Sequence, residues 1–147
     1  MPHIELKNNL PGIRGLATFR PDTGQCLYDL AQAALRGPSP LTIAQRELIA
    51  AYVSFRNQCF FCTLSHAAAA RKLTIETPEL TDLVLNNPET APIDEKFKSL
   101  LNIAGKVQIS GRNVLDSDIE RAKNAGADDL EIHDSVLIAS IFSLFNR

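Results

Sequence analysis

Two thiols and an imidazole fall within one short stretch: Cys59 and Cys62 flank Phe60-Phe61, and His66 follows Cys62 by four positions. On a helix, residues three and four apart share a face, so all three groups would sit one turn from their neighbours. In the first turn of such a helix the unpaired N–H groups and the dipole would favour the Cys59 thiolate. His66 could add to this as an imidazolium, or take a thiol proton as a neutral base. Three readings compete. The cysteines can be small buried hydrophobes beside a core histidine. They can ligate zinc, but structural zinc sites draw on two separated ligand pairs, and His3, Cys26 and His133 are isolated, so no metal is expected. They can also form a redox dithiol served by a base. Without βαβ patterning such a dithiol would not belong to a thioredoxin fold.

Glu47 stands twelve residues before Cys59, among Ile43, Ala44, Leu48, Ala50 and Ala51. The bland reading is a solvated partner of Arg46. The functional reading makes it a carboxylate for the dithiol and His66. The same two-sided weighing applies to Phe60, Phe61 and Leu64, which read as an apolar wall for an organic substrate or as plain core, with core favoured for Leu64. His133 reads as a surface residue.

The elements that must position these groups are helical. Gln25 to Leu35 has Leu27, Leu30, Ala31, Ala34 and Leu35 at helical spacing and stops at Gly37-Pro38-Ser39-Pro40. Thr42 with Gln45 has the form of a capping box, predicting a helix to around Asn57. A second helical stretch, Cys59 to Lys72, follows almost directly, with no Pro or Gly to show whether the two are kinked or separate. Further helices are predicted from Thr77-Pro78 to Leu85, from Pro92 to Gln108, from Ser117 (with Glu120 as a capping box) to Gly126, and from Asp128 (capped with Glu131) onward. In the last of these Ile132, Val136, Ala139 and Phe142 should face the core. The opening segment holds Pro2, Pro11, Gly12, Gly15 and Pro21, and reads as an extended arm to about Thr23. The expectation is an all-α fold of six or seven helices, one domain spanning 1–147 with an arm at 1–23.

Composition agrees. The 147 residues suffice for one core. Ala and Leu supply 17 and 19 residues against five Val, a balance that favours helix over sheet. Fifteen basic against seventeen acidic residues give a net charge of −2, which argues against nucleic-acid binding. No run approaches the roughly 18 apolar residues of a membrane span. Glu5 and Lys7 interrupt the first residues, so no export signal is expected, and three unpaired-looking cysteines suit a cytoplasmic protein.

The pattern Glu47, eleven residues, Cys59-x-x-Cys62, three residues, His66 resembles the core of the alkyl hydroperoxidase D (AhpD) and carboxymuconolactone decarboxylase superfamily. Leu41-Thr42-Ile43-Ala44-Gln45-Arg46-Glu47-Leu48-Ile49 is similar to the run these proteins carry before the site, and Glu131-Ile132-His133 through Arg147 resembles the closing helix. The similarity covers roughly 40–147 and is most specific over 41–71. It implies an all-α AhpD-like fold around a helical hairpin, assembled as a dimer, trimer or hexamer. It further implies a thiol peroxidase without a bound cofactor. Cys62 would attack a hydroperoxide, Cys59 would resolve the product as a disulfide, and Glu47 and His66 would relay protons. A thiol or disulfide reductase would donate electrons. The chain departs from AhpD-type sites at Phe61, where they carry a second histidine, and so looks most like the broader group of peroxidase-related, AhpD-like proteins. The rival expectations are a non-catalytic or redox-sensing helical oligomer, and a lactone decarboxylase or isomerase using Glu47 and His66. Family decarboxylases generally lack the cysteine pair, which argues against that branch.

Overall fold

A computed structural model describes residues 3–74 and 77–147. Among these, eight α-helices and one 3-10 turn follow in order: α1 (Ile13–Phe19), α2 (Pro21–Arg36), α3 (Ile43–Arg56), α4 (Phe60–Leu73), α5 (Leu80–Asn86), α6 (Glu95–Ile109), the turn Gly111–Asn113, α7 (Asp116–Asn124) and α8 (Asp129–Phe145). The all-α class is as expected, with one helix more than expected. That helix is α1, inside the segment read as an extended arm. The prolines do not forbid it because they stand outside it: Pro11 precedes it with Gly12, and Pro21 opens α2 at the first helical position, where a missing N–H costs nothing, while Gly15 within it is buried and tolerated. The expected arm's residues 1 and 2 lie outside the described residues.

α3 is the central element and packs against α4, α6 and α8. Its sequence specifies its start: the Thr42 side chain accepts from the Gln45 N–H at 3.2 Å, and the Gln45 carbonyl accepts from the Thr42 N–H at 2.9 Å. From Arg46 to Ser54 every residue is buried, so α3 is a core helix with no solvent face along its middle. Leu41, Ile49, Val53, Leu100, Leu101, Ile103, Ile138 and Phe142 form the centre of the core around it. Val84 ties α5 to the same cluster.

Helix starts show where capping patterns mislead. The Asp128–Glu131 box forms, at 2.7 and 3.0 Å. The Ser117–Glu120 box does not. Instead the Asp118 carboxylate accepts from the Leu115 N–H at 2.8 Å and holds Lys106 at 2.6 Å, so α7 begins at Asp116. On α8 the buried face is Ser135, Ile138, Ala139, Ile141 and Phe142, whereas Ile132 and Val136 are only half-buried. No helix among the described residues is long and apolar enough to cross a membrane.

The corner between α3 and α4 is a separation, not a kink. The Cys59 N–H donates to the Ser54 carbonyl and the Gln58 N–H to the Phe55 carbonyl, both at 2.9 Å, which is the double closure of a Schellman motif. Gln58 stands in the left-handed region that this motif demands, with φ 57°. Chain reversal at this point places α4 against α3 and brings its first turn over the end of α3.

Candidate active site

The corner sets the cysteines. Cys59 is the N-cap of α4, one position before the helical first turn in which the sequence places it, and its carbonyl accepts from the Thr63 N–H at 3.0 Å. Cys62 lies inside the first turn and is buried, whereas Cys59 is half-buried; both are free thiols, near enough for Cys59 to act on the Cys62 sulfur. Burial, and then the neighbouring Cys59 sulfur, push the Cys62 thiol up to about 12. The helix N-terminus therefore does not make Cys62 a ready thiolate.

One turn further along α4, His66 meets Glu47 of α3. The Glu47 carboxylate is 1% exposed, and its Oε2 lies 2.6 Å from His66 Nδ1. Its Oε1 accepts from the guanidinium of Arg36, the last residue of α2. Burial alone would raise the Glu47 carboxyl, but the hydrogen bonds from His66 and Arg36, with positive charge facing the group, outweigh it and hold it below its ordinary value. Glu47 is thus not a solvated partner of Arg46. Arg46 turns the other way, donating to the carbonyls of Ala34 and Gly37 at 3.1 and 2.8 Å, and so pins the end of α2. The edge of the Phe142 ring packs on His66, centroids 4.5 Å apart at 79°, which fixes the imidazole plane.

A second polar chain reaches the thiols from α8. Gln108 Nε2 donates to Asn57 Oδ1 at 2.7 Å, Asn57 Nδ2 donates to Asn146 Oδ1 at 3.0 Å, and Asn146 Nδ2 donates to Ser54 Oγ at 3.2 Å. This order fixes the Asn146 amide with its N–H₂ end toward Cys62, where it acts against the upward push on the thiol.

The structure thus brings Cys59 beside Cys62 and Glu47 onto His66, all at the α3–α4 hairpin. It leaves Cys26 exposed on α2 and His133 exposed on α8, paired with Asp134 at 3.0 Å. Phe60 and Leu64 are exposed, at 77% and 50%, so Leu64 is not core. Phe61 is half-buried beneath Gly12, where a β-carbon would collide with the ring and where a φ of +59° also favours glycine. Two hollows flank the site. One, of about 560 Å³, is lined by Phe55, Arg56, Gln58, Phe60 and Thr63. The other, of about 330 Å³, lies on the α2 side with Arg36, Glu47 and His66 in its wall. Sequence reasoning missed Arg36 and Asn146. Arg36 ends a helix immediately before a Gly-Pro break and reads there as a dipole-compensating charge; Asn146 lies at the end of α8, far in sequence from the cysteines.

Residues 21–87, from α2 through α5, match the carboxymuconolactone decarboxylase family model. Among solved structures, a peroxidase-related protein from Silicibacter sp. TM1040 is 28% identical with a TM-score of 0.82, over 90% of this chain and 69% of that one. An alkylhydroperoxidase AhpD core protein from Ralstonia eutropha JMP134, also described as peroxidase-related, is 28% identical with a TM-score of 0.84, over 94% of this chain and 72% of that one. No curated protein sequence matches. Over residues 21–87 the chain is thus similar to the carboxymuconolactone decarboxylase family, and over nearly its whole length it is similar in fold to AhpD-like, peroxidase-related proteins. The family match begins at α2, upstream of the motif that carries the sequence resemblance, and so includes Arg36.

Proposed function

We propose that the protein is a thiol-dependent peroxidase in which Cys62 attacks a hydroperoxide, Cys59 resolves the product, and Glu47 with His66 moves the protons. The observation that carries this reading is the convergence of a thiol pair and a carboxylate–imidazole pair at one helical corner, with Cys62 and His66 one turn apart on α4. A thiol pushed up to about 12 is almost wholly protonated at neutral pH, so its use as a nucleophile requires a base beside it. His66 takes the Cys62 proton, and the thiolate sulfur displaces alkoxide from the peroxide. The O–O bond breaks, an S–O bond forms, and the alkoxide leaves as the alcohol with the proton held on His66. Cys59 then attacks the sulfenic acid, forming the disulfide and releasing water. A dithiol or disulfide-reductase donor returns two electrons by thiol exchange.

The apolar hollow beside Phe60 and Phe55 suits the alkyl part of an organic hydroperoxide. The names of the two similar structures, both peroxidase-related, point the same way. We further propose that the protein acts in the cytoplasm as a homo-oligomer, a dimer, trimer or hexamer. The deciding measurement is mass spectrometry of the native protein after one equivalent of an alkyl hydroperoxide. A loss of two hydrogens mapped to Cys59–Cys62 is expected, absent in Cys62→Ser, while Cys59→Ser stops at a sulfenic acid after one turnover. Multiple turnover by Cys62→Ser would reject these roles. A disulfide drawing in Cys26 would reject the pairing.

One observation favours a second reading. The Glu47–His66 pair opens on its own hollow, as an acid–base site for a lactone decarboxylase or isomerase would. Such an activity would survive loss of both cysteines. A non-catalytic dithiol would instead resist alkylation in the native protein.

A further inference from the structure

Arg36 belongs to none of the motifs that mark the site, yet its guanidinium closes the carboxylate from the α2 side. Glu47 is buried on α3 and touches two groups of possible positive charge, Arg36 and His66. A buried carboxylate needs a counter-charge, and it is a question of charge counting which group provides it. The remaining ionisable groups around the pair are engaged elsewhere, uncharged, or, as with the exposed Asp29 carboxylate, solvated. On α3, Arg46 is fastened to the α2 carbonyls and feels Asp134 of α8 as its opposite charge. On α2, Asp29 accepts from Gln25 at 2.8 Å, and Tyr28 lines the hollow with it. On α4, Cys62 is a buried thiol with Cys59 beside it, and α8 presents the apolar ring of Phe142.

A guanidinium keeps its charge at every physiological pH, whereas an imidazole does not. A carboxylate oxygen can only accept, so His66 Nδ1 must carry a hydrogen toward Glu47 Oε2. We propose that Arg36 is a positioning residue that supplies the permanent counter-charge of Glu47, leaving His66 uncharged with Nδ1–H on the carboxylate and Nε2 open as the base of the site. The charge assignment stands on the ion-pair geometry alone; the use of Nε2 on a thiol rests on the peroxidase reading. The hollow of about 330 Å³ against Arg36, Glu47 and His66 gives the proton taken up there a path to solvent, and it shares no lining residue with the apolar hollow at Phe60.

The test is ¹⁵N NMR of the His66 ring across pH in the full-length protein, alongside the pH profile of alkylation at Cys62. In Arg36→Gln, Glu47 loses its permanent partner and claims His66 as imidazolium. Ring protonation should persist to a pH higher by about one to three units, the range expected for an opposite charge at this distance. The alkylation profile should move with it. Arg36→Lys keeps the charge and should restore both readouts. In a Glu47→Gln background only the direct repulsion between Arg36 and the ring is left, so adding Arg36→Gln should move the ring clearly less than it does in the parent. An unchanged or lowered ring titration in Arg36→Gln would overturn the inference. If that variant does not fold, Arg36→Lys carries the test: a ring titration displaced upward there would overturn it equally. A protein that reduces no peroxide yet shows the expected NMR shifts would reject the peroxidase reading and keep the role of Arg36. Peroxide reduction with an unresponsive ring would do the reverse.

Discussion

Glu47 shows how much one side chain's surroundings decide. A carboxylate this deeply buried is tolerated because both oxygens are taken, one by Arg36 and one by His66. Its lowered folded value means that it contributes stability above the ordinary value of 4.5 and loses that contribution as pH falls toward the folded one. Glu47→Gln should therefore keep the fold but lower stability at neutral pH by about 1–3 kcal/mol, a hydrogen bond to a charge being removed. In chemical denaturation the gap between variant and parent should narrow below about pH 4.5. In the peroxidase assay the same variant should slow turnover by about 10²-fold, the scale of a positioned acid–base group. An unchanged rate and a flat stability difference would return Glu47 to a structural role. Asn146 is testable in the same way. Its N–H₂ end is directed by Asn57, so Asn146→Ala removes an amide dipole that favours the Cys62 thiolate while leaving the thiol pair in place. Alkylation of Cys62 at fixed pH should slow by about tenfold, the effect of roughly 1.4 kcal/mol on the thiolate.

At the scale of elements, the α3–α4 corner rests on a residue that carries no conventional signal for it. A Schellman closure calls for a left-handed residue, usually Gly, and Gln58 fills the position at φ 57°. At the α7 end the same closure carries Gly126 at φ 93°, and there the sequence predicts the helix end correctly. Gln58→Val should cost about 1–2 kcal/mol, since a β-branched side chain is poorly accommodated at positive φ, whereas Gln58→Gly should be at least as stable as the parent. Thermal unfolding of the two variants separates strain at this corner from any loss of contacts. The contrast explains what was legible in the sequence. Periodicity and the Thr42 and Asp128 caps reveal the helices because they are local. The Cys59-x-x-Cys62 and His66 cluster is legible because a helix turns short spacing into proximity. Arg36 and Asn146 arrive from α2 and α8, and only packing brings them to the corner. Leu64 is misread for the complementary reason: spacing gives a face, but not whether anything covers it.

For the molecule as a whole, the outer surface is the informative feature. The chain exposes 8561 Å², more than the ~7,400 Å² expected of a compact monomer of this mass. The exposed surface includes large apolar side chains: Phe60, Phe55 and Leu64 around the corner, and Leu16 and Phe19 on α1. Association with further copies would cover such surface. Sedimentation at micromolar concentration should show a species well above the 16.1 kDa of one chain, and a single species at that mass would refute self-association. One contact already links the arm to the chemistry within a single chain. Gly12 rests on the ring of Phe61, the residue between the cysteines, so closely that a β-carbon there would enter the ring. Positions 12 and 61 are therefore not free to drift separately. A lineage that gains a side chain at 12 must shrink or turn aside the residue at 61, so change in a peripheral arm is legible as change between the two thiols.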